Sequence, residues 1–323
     1  MINVTELAGE IVSGRRLTNA DDLGFFFDAD LDELCAGADM IRSKLCGDHV
    51  DLCSIVNGKS GKCPENCRFC AQSAHNHTGI SEYGFMDEDE ILRECRHNDS
   101  KGVHRFAIVT AGRSLEGEDF RKALSAFRRM GSECGIKLCA SLGLLTDEQF
   151  RELYDSGVRR YHCNIETSRR NFPNICTTHS FEDKLACIKR AKNCGFQVCS
   201  GGIIGMGETW QDRLDMTLTL AELQVDSVPI NALMPIKGTP LAENPQLTEA
   251  DILRTIAMFR YVCPTAHIRL AAGRALMENS GERAFRSGAN AAITGDMLTT
   301  SGSSISSDME LLRRMGFDIE RED

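Results

Sequence analysis

KCPENCRFCAQSA, residues 62–74, spaces Cys63, Cys67 and Cys70 in a C-x₃-C-x₂-C array. We expect this array on a loop that wraps a metal centre. A structural zinc site normally closes its tetrahedral coordination with four protein ligands, whereas three thiolates leave one position open. Iron–sulfur clusters are the other regular users of clustered Cys thiolates. The array therefore predicts a metal centre with one vacant coordination position.

A zinc site remains an alternative, because His75 and His77 follow the third cysteine and either could complete the coordination sphere. We favour the iron–sulfur cluster. A cluster would bring its own redox chemistry, so the chain would be an enzyme rather than a zinc-stabilised binding protein.

Eight short β-rich segments alternate with amphipathic helical segments, clearest at Asp119–Met130 and Phe181–Cys194. This alternation is typical of βαβ units with a parallel sheet, and eight strands predict an α/β fold of the (β/α)₈ TIM-barrel type. The cysteine array follows the first strand, at the barrel face where chemistry is expected. The predicted strands are His49–Val56, Val103–Thr110, Lys137–Leu142, Arg159–Ile165, Phe196–Ile204, Asp226–Ile230, His267–Leu270 and Ala291–Thr294.

Residues 1–45 show apolar side chains at three- and four-residue steps, which predicts helix. We therefore expect an N-terminal helical extension over residues 1–45 and one barrel domain over residues 46–323.

The bulk composition excludes several classes of protein. A formal charge of −10 argues against a nucleic-acid partner. The sequence has no apolar run long enough for a membrane helix and no secretory signal at its start. Fifteen cysteines, an odd number, fit thiols kept reduced for metal binding. We expect a cytoplasmic protein with no membrane partner.

A second signal is the glycine-rich run of residues 201–208, GGIIGMGE, at the end of the fifth predicted strand. Glycines there allow a ligand to approach the backbone closely. The alternative is a tight strand-to-helix turn in which Glu208 complements the helix N-terminus. Beside the cysteine loop we favour ligand binding, and the candidate cofactor contacts are Gly201, Ile203, Gly205 and Glu208.

Four cysteines lie in separate predicted strands, and a buried arginine joins them. A single buried cysteine is usually an inert small hydrophobe. Inward-facing side chains of a barrel converge on its axis, so these thiols could meet and bind a second cluster. Arginine inside a barrel strand indicates a polar interior. The residues are Cys53, Cys139, Cys163, Cys199 and Arg269.

Polar side chains also end two of the predicted strands. His162, Asn164 and Glu166 share one face of the fourth strand, and Asn231 closes the sixth. Asn164 and Glu166 would suit a ribose, and His162 and Asn231 are candidate substrate contacts. A solvated strand end is the alternative. The same alternation directs Cys163 outward, so it could bind a cluster only through a β-bulge.

The cysteine loop, with Phe69 just before its last cysteine, resembles the cluster loop of the radical S-adenosylmethionine enzymes, and G-x-I-x-G-x-x-E resembles their cofactor-contacting strand. Over residues 45–317 the chain is similar to one family among them, the biotin synthases. The stretches that carry this resemblance are KCPENCRFCAQSAH, CSGGIIGMGET, SVPINALMPIKGTPL and IRLAAGR.

The resemblance implies an enzyme, working as a homodimer, that inserts sulfur into dethiobiotin. Cys63, Cys67 and Cys70 would hold a [4Fe–4S] cluster, and Phe69 would lie at the cofactor. The cluster would bind S-adenosylmethionine and, given an electron by a flavodoxin- or ferredoxin-type donor, cleave it to a 5′-deoxyadenosyl radical. An auxiliary iron–sulfur cluster would give up the sulfur.

In the pattern typical of this family, three strand cysteines and one strand arginine bind an auxiliary [2Fe–2S] cluster. Cys139, Cys199 and Arg269 match it, but Ala107 stands at the third cysteine position. Either there is no second cluster and the product is not biotin, or other cysteines supply the ligand, in a cluster of four irons or another composition. We favour the second, with Cys53 or Cys163 as the substitute.

Two other functions compete. One is a radical enzyme of similar build, hydrogenase-maturation-like or methylornithine-forming, which has no need of the two matching cysteines and the arginine together. The other is a non-catalytic zinc or cluster carrier, which has no use for the glycine strand.

Overall fold

The computed structural model describes residues 3–295 and 303–321. A closed parallel barrel forms the body of the molecule, because β1 pairs with β2 on one side and with β9 on the other, and β5 pairs with β7. The strands are β1 (Asp51–Lys59), β2 (Arg105–Thr110), β3 (Lys137–Ser141), β4 (Arg160–His162), β5 (Gln197–Cys199), β6 (Gly202–Ile204), β7 (Ser227–Ala232), β8 (His267–Leu270) and β9 (Ala291–Ile293).

Helices surround the barrel and bury their apolar faces against its outer surface. Short 3₁₀ turns follow β8 at Arg274–Leu276 and Glu278–Ser280. The helices are α1 (Val4–Val12), α2 (Phe25–Asp28), α3 (Leu31–Cys46), α4 (Glu88–Ser100), α5 (Gly117–Glu133), α6 (Asp147–Asp155), α7 (Phe172–Ile175), α8 (Phe181–Asn193), α9 (Trp210–Glu222), α10 (Glu249–Val262), α11 (Glu282–Phe285) and α12 (Ile305–Arg314).

The predicted (β/α)₈ barrel is confirmed, although one strand differs in form. The fifth predicted strand is interrupted at Ser200 and Gly201, so that β5 and β6 are two halves of one barrel position. A Cβ at Gly201 would lie 2.0 Å from the Pro229 carbonyl oxygen, and one at Gly202 would lie 2.4 Å from that of Glu166. The glycines therefore let the chain bend against its neighbours.

The N-terminal region is less helical than expected, because residues 13–24 separate α1 from α2 without helix. The side chains of Asn3 and Asp30 cap α1 and α3 by accepting hydrogen bonds from backbone N–H groups of the first turn. Both helices bury side chains in the same core as α10. The boundary at residue 45 stays a prediction.

Among the described residues, no helix combines the length and the apolar character that crossing a membrane requires.

Candidate metal centres and active site

The cysteine array lies on a loop after the C-terminal end of β1, as predicted, and the loop is held by its own hydrogen bonds. The backbone N–H of Cys63 donates to the Gln72 carbonyl oxygen at 3.1 Å. The Asn76 side-chain amide donates to the carbonyl oxygens of Cys67 (3.2 Å) and Cys70 (2.8 Å). These bonds fix the loop backbone without involving the three thiols. Partial burial raises the pKa of the Cys70 thiol to about 11, so binding a metal there must displace a proton.

Phe69 packs into a small apolar cluster beside this loop, together with Ile203, Met206 and Ile175. Two predicted cofactor contacts, Phe69 and Ile203, are thus brought together from separate elements. Their apolar surface adjoins the cysteines and would exclude water from a reaction there.

The zinc alternative has little support in the geometry. Four-coordinate zinc places its sulfur ligands about 3.8 Å apart. Within residues 3–295 and 303–321, three ligand atoms approach one another within 4.8 Å at Cys67, Cys176 and His179, but not at the three loop cysteines. The His75 ring nitrogen Nε2 hydrogen-bonds to the Pro64 carbonyl oxygen at 3.1 Å. The wider spacing of the loop thiols suits a multi-iron cluster.

The glycine run forms β6 and the turn that follows it. Here the carboxylate of Glu208 is engaged by the protein itself, and its predicted cofactor contact stays a prediction. Its carboxylate accepts from the backbone N–H groups of Gly205 and Met206, both at 2.8 Å, and from Arg213 Nε at 2.9 Å. With its side chain only 2% exposed, Glu208 shapes the turn. Gly205 has a φ of +95°, which explains glycine at that position.

Glu166 is the predicted cofactor contact whose geometry best fits a ligand. Its φ is +69°, a strained value for a residue other than glycine. Pairing with β6 holds this conformation, because the Glu166 carbonyl oxygen accepts from Ile203 N–H at 2.8 Å. Its buried Oε2 has no hydrogen-bond partner in the part of the chain that the structure describes. Asn164 lies beside it, with Oδ1 accepting from Gly201 N–H at 3.1 Å.

The two predicted substrate contacts differ in their surroundings. Asn231 joins two strand ends, since its Nδ2 donates to the Gly202 carbonyl oxygen (3.1 Å) and its Oδ1 accepts from Ala272 N–H (3.2 Å). His162 hydrogen-bonds to the Cys199 thiol inside the barrel. It therefore lies with the strand cysteines, and both substrate roles stay predictions.

Three strand cysteines line the barrel interior. Cys53 of β1 and Cys139 of β3 share a thiol hydrogen bond and pack together with Ala107 of β2. The hydrogen bond from Cys53 and the nearby Arg105 and Arg160 lower the pKa of Cys139 to about 6. Although burial acts in the opposite direction, His162, Arg269 and Arg160 lower the pKa of Cys199 to about 7. Cys53 thus lies next to Ala107, the position at which the family pattern has a cysteine and this chain does not.

Cys163 is the predicted auxiliary ligand that the structure removes from this group. Its thiol hydrogen-bonds to Cys187 of α8, in the apolar layer between barrel and helix. Alternation along the fourth strand directs the side chain outward, and no bulge reverses it. In this structure Cys163 therefore faces α8 and not the barrel axis.

Arg269 lies inside the barrel, as predicted, but its donors are engaged by the protein. It donates to Asp51 Oδ1 (2.6 Å), to the Asp51 and Ala292 carbonyl oxygens (3.1 and 3.0 Å) and to Ser227 Oγ (3.2 Å). Burial alone would lower the pKa of Arg269, but the Asp51 carboxylate raises it above its usual value. A protonated guanidinium has no lone pair for iron. In this structure Arg269 is a counter-charge to Asp51, and its role as a cluster ligand stays a prediction.

Asp51 is surrounded by an excess of positive charge. Its carboxylate contacts Arg269, Arg105 Nε (2.8 Å) and Arg160 Nη1 (3.9 Å). These guanidiniums outweigh burial and hold the pKa of Asp51 well below its usual range. Arg160 is 3% exposed, and its Nη1 has no hydrogen-bond partner among the described residues. Two buried cations and the half-buried Arg105 face one carboxylate, which leaves about two positive charges that an anionic iron–sulfur cluster on the adjacent thiolates would neutralise.

Sequence reasoning missed Asp51, Arg105 and Arg160. Each of these residues lies two positions before an inward-facing residue of the same strand. Those inward-facing residues are Cys53, Ala107 and His162, respectively. The sequence did contain a signal for the three charged residues, because side chains two residues apart on a strand point to the same face, so a charged residue at that spacing from a predicted interior position also faces the interior. Sequence reasoning missed Cys176 as well, since that residue follows a short helix and belongs to no spacing motif.

Comparison with known proteins agrees with this geometry. The Radical SAM superfamily matches residues 59–220, and the Biotin and Thiamin Synthesis associated domain matches residues 229–318. The biotin synthase of Alkaliphilus metalliredigens is 61% identical over 98% of this chain and 100% of its own length. That of Clostridium beijerinckii is 58% identical over 97% of this chain and 99% of its own.

Among solved structures, methylornithine synthase superposes with a TM-score of 0.84 at 20% identity, covering 98% of this chain and 97% of that protein. The hydrogenase maturase HydG from Carboxydothermus hydrogenoformans superposes with a TM-score of 0.80 at 17% identity, covering 97% and 78%. At these identities the likeness concerns the fold alone.

Proposed function

The chain belongs to the biotin synthase family of radical S-adenosylmethionine enzymes, and from that premise we propose that it converts dethiobiotin to biotin with two iron–sulfur clusters held at different depths of one barrel. The open loop of three cysteines would hold the first cluster and the strand cysteines the second. The excess positive charge around Asp51, beside three buried thiols, is the observation that carries the proposal.

At the barrel mouth, Cys63, Cys67 and Cys70 would hold a [4Fe–4S] cluster, which supplies the electron that cleaves S-adenosylmethionine. Phe69 and Ile203 keep water from the reacting groups through their shared apolar surface. The Oε2 of Glu166, which has no partner among the described residues, would accept hydrogen bonds from a pair of hydroxyl groups such as those of a ribose. The strained backbone at Glu166 fixes that carboxylate before the ligand arrives.

Deeper in the barrel, Cys53, Cys139 and Cys199 would hold the auxiliary cluster, which supplies the sulfur. Cys53 takes the place of the cysteine that the family pattern has at the position of Ala107. Arg105, Arg160 and Arg269 favour the thiolate forms, because their positive charges lower the pKa of Cys139 and Cys199. His162 hydrogen-bonds to Cys199, so its imidazole lies beside this site together with the three thiols. We infer a cluster other than the usual [2Fe–2S] type, since its ligands come from a different set of strands.

Iron content after anaerobic reconstitution tests the proposal. We expect clearly more than the roughly four irons of one [4Fe–4S] cluster. The Cys139→Ala/Cys199→Ala variant should lose the excess, still form 5′-deoxyadenosine from S-adenosylmethionine under reductant, and make no biotin. Cys263→Ala removes a buried thiol that contacts Thr217 on the outer helices, and should match wild type in all three measurements.

Wild-type protein with only about four irons would contradict the auxiliary site, and biotin formation by the double variant would contradict its role as sulfur donor. On the family likeness alone we further propose a flavodoxin- or ferredoxin-type electron donor and a homodimer. Reduction of the protein by such donors, and light scattering of the purified protein, test these two points.

A further inference from the structure

A cavity of about 850 Å³ lies at the N-terminal end of the barrel, on the face opposite the cysteine loop. Residues at the start of three barrel strands form its inner wall, and residues 16–20, between α1 and α2, form its outer edge. The C-terminal ends of α9 and α10 flank it, and we call it the lower cavity. The lining residues that matter here are Arg160, Gln197, Ala221, Glu222, Asp226 and His267.

The inner end of the lower cavity presents buried nitrogen atoms without hydrogen-bond partners. Arg160 is 3% exposed, and its Nη1 has no such partner among the described residues. Its Nε donates to Gln197 Oε1 at 3.3 Å, which holds the guanidinium at the cavity wall. The buried Nδ1 of His267 also lacks a partner in the part of the chain that the structure describes. Because a buried polar atom without a partner costs free energy, this end of the cavity favours a polar guest.

Among polar guests, the lower cavity favours an anion. A guanidinium only donates hydrogen bonds. Behind Arg160 lies the excess positive charge around Asp51, whose carboxylate is 3.9 Å from Arg160 Nη1. The acidic groups of the lining are bonded by the protein itself, because Asp226 Oδ2 accepts from a backbone N–H at 2.7 Å and Glu222 Oε1 accepts from Asn19 Nδ2 at 2.8 Å. The group that remains to bind a guest at the inner end is therefore a cation.

The lower cavity lies closer to the proposed auxiliary site than the barrel mouth does. Cys53 is two residues from Asp51, which begins β1, and six residues from Lys59, which ends it. At about 3.3 Å per residue, these separations are about 7 Å and about 20 Å along the strand. Arg160 is the register partner of Cys139 on the neighbouring strand. One layer of side chains, to which Arg160 belongs, therefore separates the cavity from the thiols.

The proposed reaction consumes a sulfide of the auxiliary cluster for each biotin formed, so sulfide must reach that site again before another turnover. We propose that the lower cavity is the entry site for hydrosulfide, a small anion, and that Arg160 receives it on the way to the auxiliary cluster. This inference rests on the proposed function, which assigns that cluster. Hydrosulfide is already at the oxidation level of sulfide, so its entry needs no oxidant or reductant. The proton that it loses on binding iron passes to solvent.

Uptake of isotopically labelled sulfide by the full chain tests this route. The reconstituted enzyme first completes one turnover, which removes sulfide from the auxiliary cluster and leaves the loop cluster in place. It is then incubated with ferrous iron and labelled sodium sulfide. The label is followed with incubation time in the acid-labile sulfide of the protein and in the biotin of a second turnover.

Two variants of the lining change the space and the charge of the lower cavity separately. Ala221→Trp places a large ring at a half-buried position of the wall. Gln197→Glu keeps the size of the side chain that contacts Arg160, but pairs with its charge and repels anions. Since a charged cleft raises the local concentration of its counter-ion, each variant should slow uptake of the label about tenfold.

Two matched variants control for bulk and charge. Thr219→Trp adds the same ring two residues earlier on α9, at a half-buried position outside the lining. Gln211→Glu adds the same charge at the exposed start of that helix. Both should take up label at the wild-type rate. Uptake at the wild-type rate in both cavity variants would overturn the proposal, and so would equal slowing in a cavity variant and its matched control.

The same experiment separates this inference from the proposed function. Slowing by Ala221→Trp alone would contradict the role of Arg160 in receiving an anion. If wild type holds only the loop cluster, the proposed function fails and this inference fails with it. If wild type takes up label and makes labelled biotin while the cavity variants keep pace with it, the failure concerns the lower cavity alone.

Discussion

In the proposed auxiliary site, Cys53 on β1 would offset the absence of a cysteine at Ala107 on the neighbouring strand β2. Ala107 pairs in register with Ile55 of β1 and Cys139 of β3, and an alanine methyl cannot bind iron. Cys53 faces the same interior space two residues before Ile55 and shares a hydrogen bond with the Cys139 thiol. Moving a ligand from β2 to β1 would lower its position along the barrel axis, and the proposed cluster would then differ in shape from the family's [2Fe–2S] cluster.

This exchange can be tested by reversing it. Cys53→Ala should lose the excess iron of the auxiliary site, because two thiolates remain there. Cys53→Ala/Ala107→Cys should regain at least half of that iron, with the absorption and Mössbauer spectra of a [2Fe–2S] cluster, since it restores the family's strand cysteines. Cys163→Ala, whose thiol faces α8, should bind as much iron as wild type. Undiminished iron in Cys53→Ala would show that Cys53 is not a ligand.

The barrel and its cysteines could be predicted from sequence because both depend on local patterns. Strand–helix alternation gives the order of the elements, and the phase of the strand cysteines predicts that Cys53, Cys139 and Cys199 face the barrel interior. A turn role for Glu208 was the alternative that the sequence offered, but its hydrogen bonds to Gly205, Met206 and Arg213 could not be predicted, since they depend on how the turn folds back on itself. The grouping of the charged residues around Asp51 also could not be predicted, because they lie on four different strands and come together only when the barrel closes.

At the scale of elements, the C-terminal segment is joined to the start of β1 by backbone hydrogen bonds between Asp318 and residues 48 and 50, and by the buried His104. The His104 ring accepts from Leu52 N–H at 2.7 Å, and its other nitrogen donates to the Ile319 carbonyl oxygen at 3.1 Å. With 5% of its surface exposed, His104 is buried, and burial lowers its pKa. Protonation would remove the acceptor for Leu52 and place a charge between two elements of the fold.

This histidine makes the stability of the apo protein depend on pH. A histidine whose folded pKa is depressed stabilises the fold above its unfolded pKa of about 6.5, and the contribution is lost as pH falls toward the folded value. Between pH 7.5 and 5.5, wild type should lose about 1 kcal/mol more free energy of unfolding in urea than His104→Gln. His97→Gln, which removes an exposed histidine, should follow wild type. Parallel pH curves for wild type and His104→Gln would contradict this role.

At the scale of the whole molecule, the N-terminal helices and the barrel share one core. Three helices meet at Gly37 of α3, where an added Cβ would lie 1.9 Å from the Tyr261 hydroxyl of α10 and 3.3 Å from Ala8 of α1. Tyr261 is fully buried and donates to the Val4 carbonyl oxygen at 2.9 Å. The extension of residues 1–45 therefore covers a helix that flanks the barrel, and we expect the two parts to unfold together.

Overpacking this junction tests that cooperativity. Gly37→Ala forces the Tyr261 ring out of its site and should lower the free energy of unfolding by about 1–3 kcal/mol. Urea unfolding of the variant should show a single transition at a lower midpoint with an unchanged m-value, since extension and barrel form one cooperative unit. Gly9→Ala, in α1 with no atom within 4 Å of the added Cβ, should instead stabilise by about 0.5–1 kcal/mol. Two separate transitions, with the larger one unmoved by Gly37→Ala, would mean that the barrel folds without its N-terminal helices.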